Sequence, residues 1–186
     1  MIPKQAIYRP EYLENLATAL LERYMLVGNI EDIERAIPVA EEAKSLLLVL
    51  MPSELQDAGG FLAPFCDVPP LTTRKMLTSN LGILHCNLYE RTGNLENLDV
   101  AISNFEELSA LTPSNEGDEQ AIPNYAWALS MRFQRTGDRK DLDQAIMRIR
   151  QALEVKEIDR ALATKLNNNL GELLRQRFLN ANSISE

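Results

Sequence analysis

Histidine occurs once (His85), tryptophan once (Trp127) and cysteine twice (Cys66 and Cys86) in these 186 residues. A zinc centre or a hydrolytic triad would have to be built around that single imidazole. The two cysteines provide neither a disulfide framework nor a metal-ligand spacing, and reduced, structural thiols are the expectation. No apolar run reaches the roughly 18 residues a membrane-spanning helix needs, so no membrane partner is expected. The N-terminus MIPKQAIYRPEY lacks the basic, apolar and small-residue regions of a secretory signal, which points to the cytoplasm. Lys and Arg number 19 against 27 Asp and Glu, a formal net charge of -8. Nucleic-acid affinity rests on cations that neutralise phosphates, so no nucleic-acid partner is expected either. With no catalytic residue, cofactor or metal site to assign, the chain reads as a non-enzyme.

What the chain does contain is repetition. Asn124 to Ile146, NYAWALSMRFQRTGDRKDLDQAI, has counterparts in NLGILHCNLYERTGNLENLDVAI from Asn80 and NLATALLERYMLVGNIEDIERAI from Asn15. NLGELLRQRF from Asn169 matches the first ten positions of a fourth copy. Gly28 and Gly93 stand 65 residues apart and Gly93 and Gly137 stand 44 apart, so the first interval carries 21 extra residues. MPSELQDAGGFLAPFCDVPP, at 51–70, accounts for them as an inserted loop, because four prolines and a Gly-Gly pair interrupt any helix.

Around each glycine the pattern is helix, turn, helix. The first pair covers about 11–50, the second 72–112, the third 121–155, and a final helix runs over about 159–179. Residues 1–9 read as a lead, with Pro10 and Glu11 in the first turn of a helix. Thr72 or Thr73 and Asp138 are candidate N-caps, and SNEGDEQ forms an acidic turn. Pro38 is expected to kink the second helix or delay its start, and ANSISE to fray. A unit of this length cannot bury its apolar face alone, so neighbours must stack on it. The expectation is an all-α, right-handed helical-repeat solenoid of three helix pairs plus a C-terminal capping helix, forming a single domain over 1–186.

Numbering each copy from its Asn as position 0 and turning about 100° per residue separates the faces of the first helices. Positions 1, 5 and 9 form the core stripe: Leu16, Leu20 and Tyr24; Leu81, His85 and Tyr89; Tyr125, Leu129 and Phe133; Leu170, Leu174 and Phe178. Position 2 is always small (Ala17, Gly82, Ala126, Gly171) and lets helices approach closely. His85 stands where the other copies have leucine and reads as a packing residue beside Cys86. Trp127 reads first as packing between repeats and second as an aromatic anchor.

FQRTGDRKDLDQAI, YERTGNLENLDVAI and the Asn-Leu-Gly of NNLGELLRQRF resemble tetratricopeptide repeats of the long-period kind. They are similar to those of kinesin light chains and to arrays beside caspase-like CHAT domains or nucleotide-binding modules in fungal proteins. The period, the extra residues after the glycine and the insertion depart from the ordinary 34-residue repeat.

Asn15, Asn80, Asn124 and Asn169 are in register, far from the core stripe, and an amide ladder of this kind can clamp an extended peptide backbone. The resemblance implies that role for Asn80, Asn124 and Asn169 especially, on first helices that line a concave groove. Lys165 to Asn169, KLNNN, fits the family's Asn motif best. Arg91 and Arg135, at position 11 of the same face, are placed to pair with a carboxylate, although they and the asparagines could equally serve neighbouring helices. Glu34, Asp99 and Asp143 read as turn-capping or inter-repeat acids. The expected function is non-catalytic binding of a protein or peptide in the groove. The alternative is a structural module that self-associates through its terminal helix or stacks on further repeats.

Overall fold

The computed structural model describes residues 4–50, 70–111, 121–155 and 158–182, and these fold as an all-α helical repeat. The elements are α1 (Lys4–Val27), α2 (Ile30–Leu50), α3 (Pro70–Thr92), α4 (Leu95–Leu111), α5 (Ile122–Thr136), α6 (Arg139–Leu153) and α7 (Arg160–Asn182). Residues 51–69, with Cys66, the acidic turn SNEGDEQ and the last four residues lie outside the described set.

Three identical turns join the helices within pairs. Gly28, Gly93 and Gly137 adopt φ of 75°, 68° and 73°, a left-handed conformation that only glycine enters without a Cβ penalty. Each glycine N–H donates to the carbonyl four residues back, at 2.7 Å in all three cases. The next residue caps the second helix: Asn29, Asn94 and Asp138 accept from the N–H of Glu31, Glu96 and Lys140 at 3.2, 3.1 and 3.0 Å. Asp159 caps α7 in the same manner.

Several boundaries differ from the sequence reading. α1 begins at Lys4 and carries Pro10 inside it; only one backbone bond near the helix start is lost, and the ring is buried. α2 begins on time and continues through Pro38, whose face is exposed, so water can serve the carbonyl that the proline leaves unpaired. α3 starts at Pro70, ahead of Thr72 and Thr73, because proline is pre-organised for the first helical position. Ala181 and Asn182 extend α7 into the stretch read as frayed.

The chain gathers into two compact units, residues 1–93 and 94–186. In the first, α1 packs on α2, α2 on α3 and α1 on α3. One cluster joins Ala17 of α1, Ala40, Ala43 and Leu47 of α2, and Leu77 and Leu81 of α3. A second joins Leu20, Leu21 and Tyr24 to Ile33, Ala36 and Leu84. In the second unit α4 packs on α5, α5 on α6, α6 on α7 and α5 on α7. Tyr125 is the junction there. Its ring lies 5.7 Å from that of Phe105 and beneath the Arg148 guanidinium at 5.8 Å, and its hydroxyl accepts from Gln144 at 2.6 Å. Burial, with Glu106 nearby, raises the phenol to about 12.

Comparing copies separates two sides of the first helices. In the first pair positions 2, 5 and 9 are covered by the second helix, Ala17, Leu20 and Tyr24 packing on α2. Position 4 is buried where a copy precedes (Leu84, Ala128, Leu173) and exposed in the first copy at Ala19. Leu16, expected in the core, is 44% exposed, because position 1 also needs a preceding copy.

A polar clasp follows the same register. Arg132, at position 8, donates to Asp141 of α6 at 2.9 and 2.6 Å and to Asp99 of α4 at 2.8 Å. Arg23 grips Asp32 through the equivalent pair. Arg177 of α7 lies 3.9 Å from Asp143 of α6, the position Asp99 occupies one copy earlier. Thus Asp99 and Asp143 bridge repeats.

Asp141 is buried, so Arg132→Met should cost about 3 kcal/mol by stranding a charge, and Asp99→Ala, at an exposed partner, under about 1 kcal/mol; urea denaturation compares them. Hydrogen bonding to Arg23 lowers the Asp32 pKa, so the stability it contributes is present above the unfolded carboxyl value of about 3.9 and is lost as pH falls through the folded value. Arg23→Gln should flatten that acid limb in a pH series of thermal melts.

Candidate functional site

Positions 0, 3, 7 and 11 fall within about 80° of one another on a helix and form one face on each first helix. On α5 these are Asn124, Trp127, Met131 and Arg135; the first three are half-buried and Arg135 is exposed. On α7 they are Asn169, Glu172, Gln176 and Asn180. The two helices are direct neighbours, tied by Ser130 donating to Gln176 at 3.1 Å. Gln176 in turn donates to Glu172 at 3.1 Å. Arg175 makes a two-pronged contact to Glu172 at 2.9 and 2.6 Å. That contact, with Gln176, holds the Glu172 carboxyl down at about 2. The face therefore combines amides, an indole and a thioether half open to solvent, and a guanidinium at one end. Amides can bracket a peptide backbone, Trp127 and Met131 can receive an apolar side chain, and Arg135 can meet a carboxylate.

Among the predicted residues, Asn80 is the most committed. Its Nδ2 donates to Thr18 Oγ1 of α1 at 2.8 Å, and Thr18 donates to the buried Glu14 at 2.8 Å. Asn80 thus fastens α3 to α1. Within the second unit the place of Thr18 is taken, one copy ahead of Asn169, by Trp127, whose indole offers no hydrogen-bond acceptor. Among the described residues the amides of Asn124 and Asn169 have no hydrogen-bond partner. Asn124 lies in the first turn of α5 behind Pro123. Asn169 lies in mid-helix after Leu166, which is fully buried, and Asn167, which donates back to the Ala163 carbonyl at 2.8 Å.

Asn15 is exposed at the outer edge of the first unit. Arg91 and Arg135 are exposed in the last turns of α3 and α5, where a cation also complements the helix dipole by about 0.3–1 kcal/mol.

The candidate residues for chemistry are placed differently. His85 and Cys86 are both buried in α3, and burial, with Glu90 next, pushes the Cys86 thiol up to about 12, the environment of an inert structural thiol. Among the described residues no three His, Cys, Asp or Glu side chains are grouped to hold a metal ion, and no helix is long and apolar enough to cross a membrane. Sequence reasoning passed over Met131 and Gln176. The signal was available in the spacing 0, 3, 7, 11, but it gains meaning only once position 3 is known to face outward.

The chain matches no model of a known protein family and no curated protein. A solved structure, the crystal structure of a de novo designed helical repeat protein, is similar to it at 19% identity with a TM-score of 0.49, over 98% of this chain and 82% of that one.

Asn80→Ala should remove the strap between α1 and α3 and lower stability by about 1 kcal/mol, whereas Asn124→Ala and Asn169→Ala should each change it by less than about 0.5 kcal/mol; chemical denaturation of the three variants distinguishes them.

Proposed function

We propose that the protein is a non-catalytic, tetratricopeptide-like interaction module that holds an extended peptide segment of a partner against the 0, 3, 7, 11 face of its first helices. The observation that carries this reading is the pairing of α5 and α7. It sets two side-chain amides that have no partner among the described residues, Asn124 and Asn169, in register beside Trp127, Met131 and Arg135. Polar side chains that the fold does not use, alongside half-open apolar ones, are the composition of a recognition surface. Asn is a mediocre helix former, so its recurrence at position 0 calls for a use beyond helix formation. At Asn80 that use is a strap; at Asn124 and Asn169 the reading assigns it to the ligand backbone.

In this mode the two amides grip main-chain groups, the indole and thioether accept one apolar side chain, and Arg135 selects an acidic group or a terminal carboxylate. Asn15 and Arg91 hold positions 0 and 11 of the same sequence register on α1 and α3, in the other unit.

Selection of binders from a displayed peptide library tests the reading. The selected peptides should lose about tenfold or more in affinity on Asn124→Ala/Asn169→Ala, with the melting temperature within about 2 °C of wild type. Trp127→Ala should weaken apolar-anchored binders further. Unchanged binding together with clear thermal destabilisation would make the asparagines structural and sink the proposal.

A further inference from the structure

α7 repeats the first-helix pattern of α5, but among the described residues only one of its two sides is covered. Leu173, at position 4, is buried toward α5 and α6 as Ala128 is in α5. On the other side, Leu170 and Leu174 are half-buried, Gly171 is exposed and Phe178 is 65% exposed. Their equivalents in α5 are Tyr125, Leu129, Ala126 and Phe133, all of them buried, with α6 packed on α5. A Cβ built on Gly171 would meet nothing within 4 Å, so a backbone can approach closely there. The clasp is half made as well. Arg132 holds one acid on the preceding second helix and one on its own, while among the described residues Arg177 has only the preceding one, Asp143, at 3.9 Å. Its side chain remains 47% exposed.

We infer that this face of α7 is a helix-acceptor site. It binds an amphipathic partner helix of α6's chemistry, with an acid for Arg177, Leu or Ile directly after it, and Ala-Ile three residues further on for Gly171 and Phe178. The interface is the α5–α6 contact continued by one step, which fixes both the apolar stripe and the position of the acid. A second folded copy of this chain does not supply that helix. Its own helices of the type have their stripes already buried, at Ile33 and Ala36, Leu98 and Ala101, and Leu142 and Ala145. We take the occupant to be an amphipathic helix of a partner protein. The site is separate from the peptide face of α5 and α7 and does not depend on it.

The test uses the intact protein and a labelled peptide of residues 138–155, DRKDLDQAIMRIRQALEV, followed by fluorescence anisotropy. Saturable one-to-one binding is expected. Phe178→Asp and Arg177→Glu, both at exposed positions, should each weaken it tenfold or more with unchanged circular dichroism and melting temperature. A peptide carrying Asp141→Lys should bind wild type at least tenfold more weakly and recover at least fivefold on the Arg177→Glu protein. Asn124→Ala/Asn169→Ala should leave this binding unchanged, so that the peptide-face reading and this one fail separately. Absence of saturable binding overturns the inference. So does binding that is indifferent to both α7 variants, since the peptide would then be exchanging with α6. Concentration-dependent dimerisation abolished by Phe178→Asp would assign the face to a second copy and overturn it as well.

Discussion

Each first helix in this protein has two apolar sides, and no single neighbour covers both. That constraint organises everything else. In α1 and α5 the second helix of the pair closes over positions 2, 5 and 9, and the preceding repeat closes over position 4 and part of position 1. The exposure of Leu16 in α1 and of Phe178 in α7 are two expressions of the same rule, one with the preceding side open and the other with the following side open. Stability is therefore set by neighbour contacts, as in other stacked repeats.

The polar groups obey the same geometry. A buried carboxylate at position 17 is tolerable only with a cation aimed at it, and Arg23 and Arg132 supply that cation to Asp32 and Asp141. In the second copy both positions change together, to Leu88 and Asn97, so neither member is left as an unpaired charge. Because Arg132 also reaches Asp99, the clasp joins the preceding repeat to its own pair and reinforces what the apolar side chains already specify.

Much of this was legible in the residues. Helix boundaries at Val27, Ile30, Thr92, Leu95, Thr136 and Arg139 follow from the left-handed glycines and the Asn or Asp caps, which are local effects with short-range signatures. Pro10, Pro38 and Pro70 were harder, since the cost of a proline depends on how far it lies from the helix start and whether water reaches the carbonyl it strands. For the candidate site, the register of Asn80, Asn124 and Asn169 was plain, yet their differing roles were not. Whether an amide is committed depends on its neighbours in space, and Asn80 finds its acceptor in Thr18 of α1.

By itself, then, the sequence determined the repeat, its helical type, the turns and the apolar stripe, because each arises from spacing along one chain or from the conformational limits of single residues. Only the tertiary structure decided which member of the stripe is covered, that the acids Asp99 and Asp143 bridge repeats, and that Asn80 is a strap while Asn124 and Asn169 have no side-chain partner among the described residues. Those are facts about neighbours in space, and a periodic sequence repeats its pattern without saying on which sides a neighbour is present.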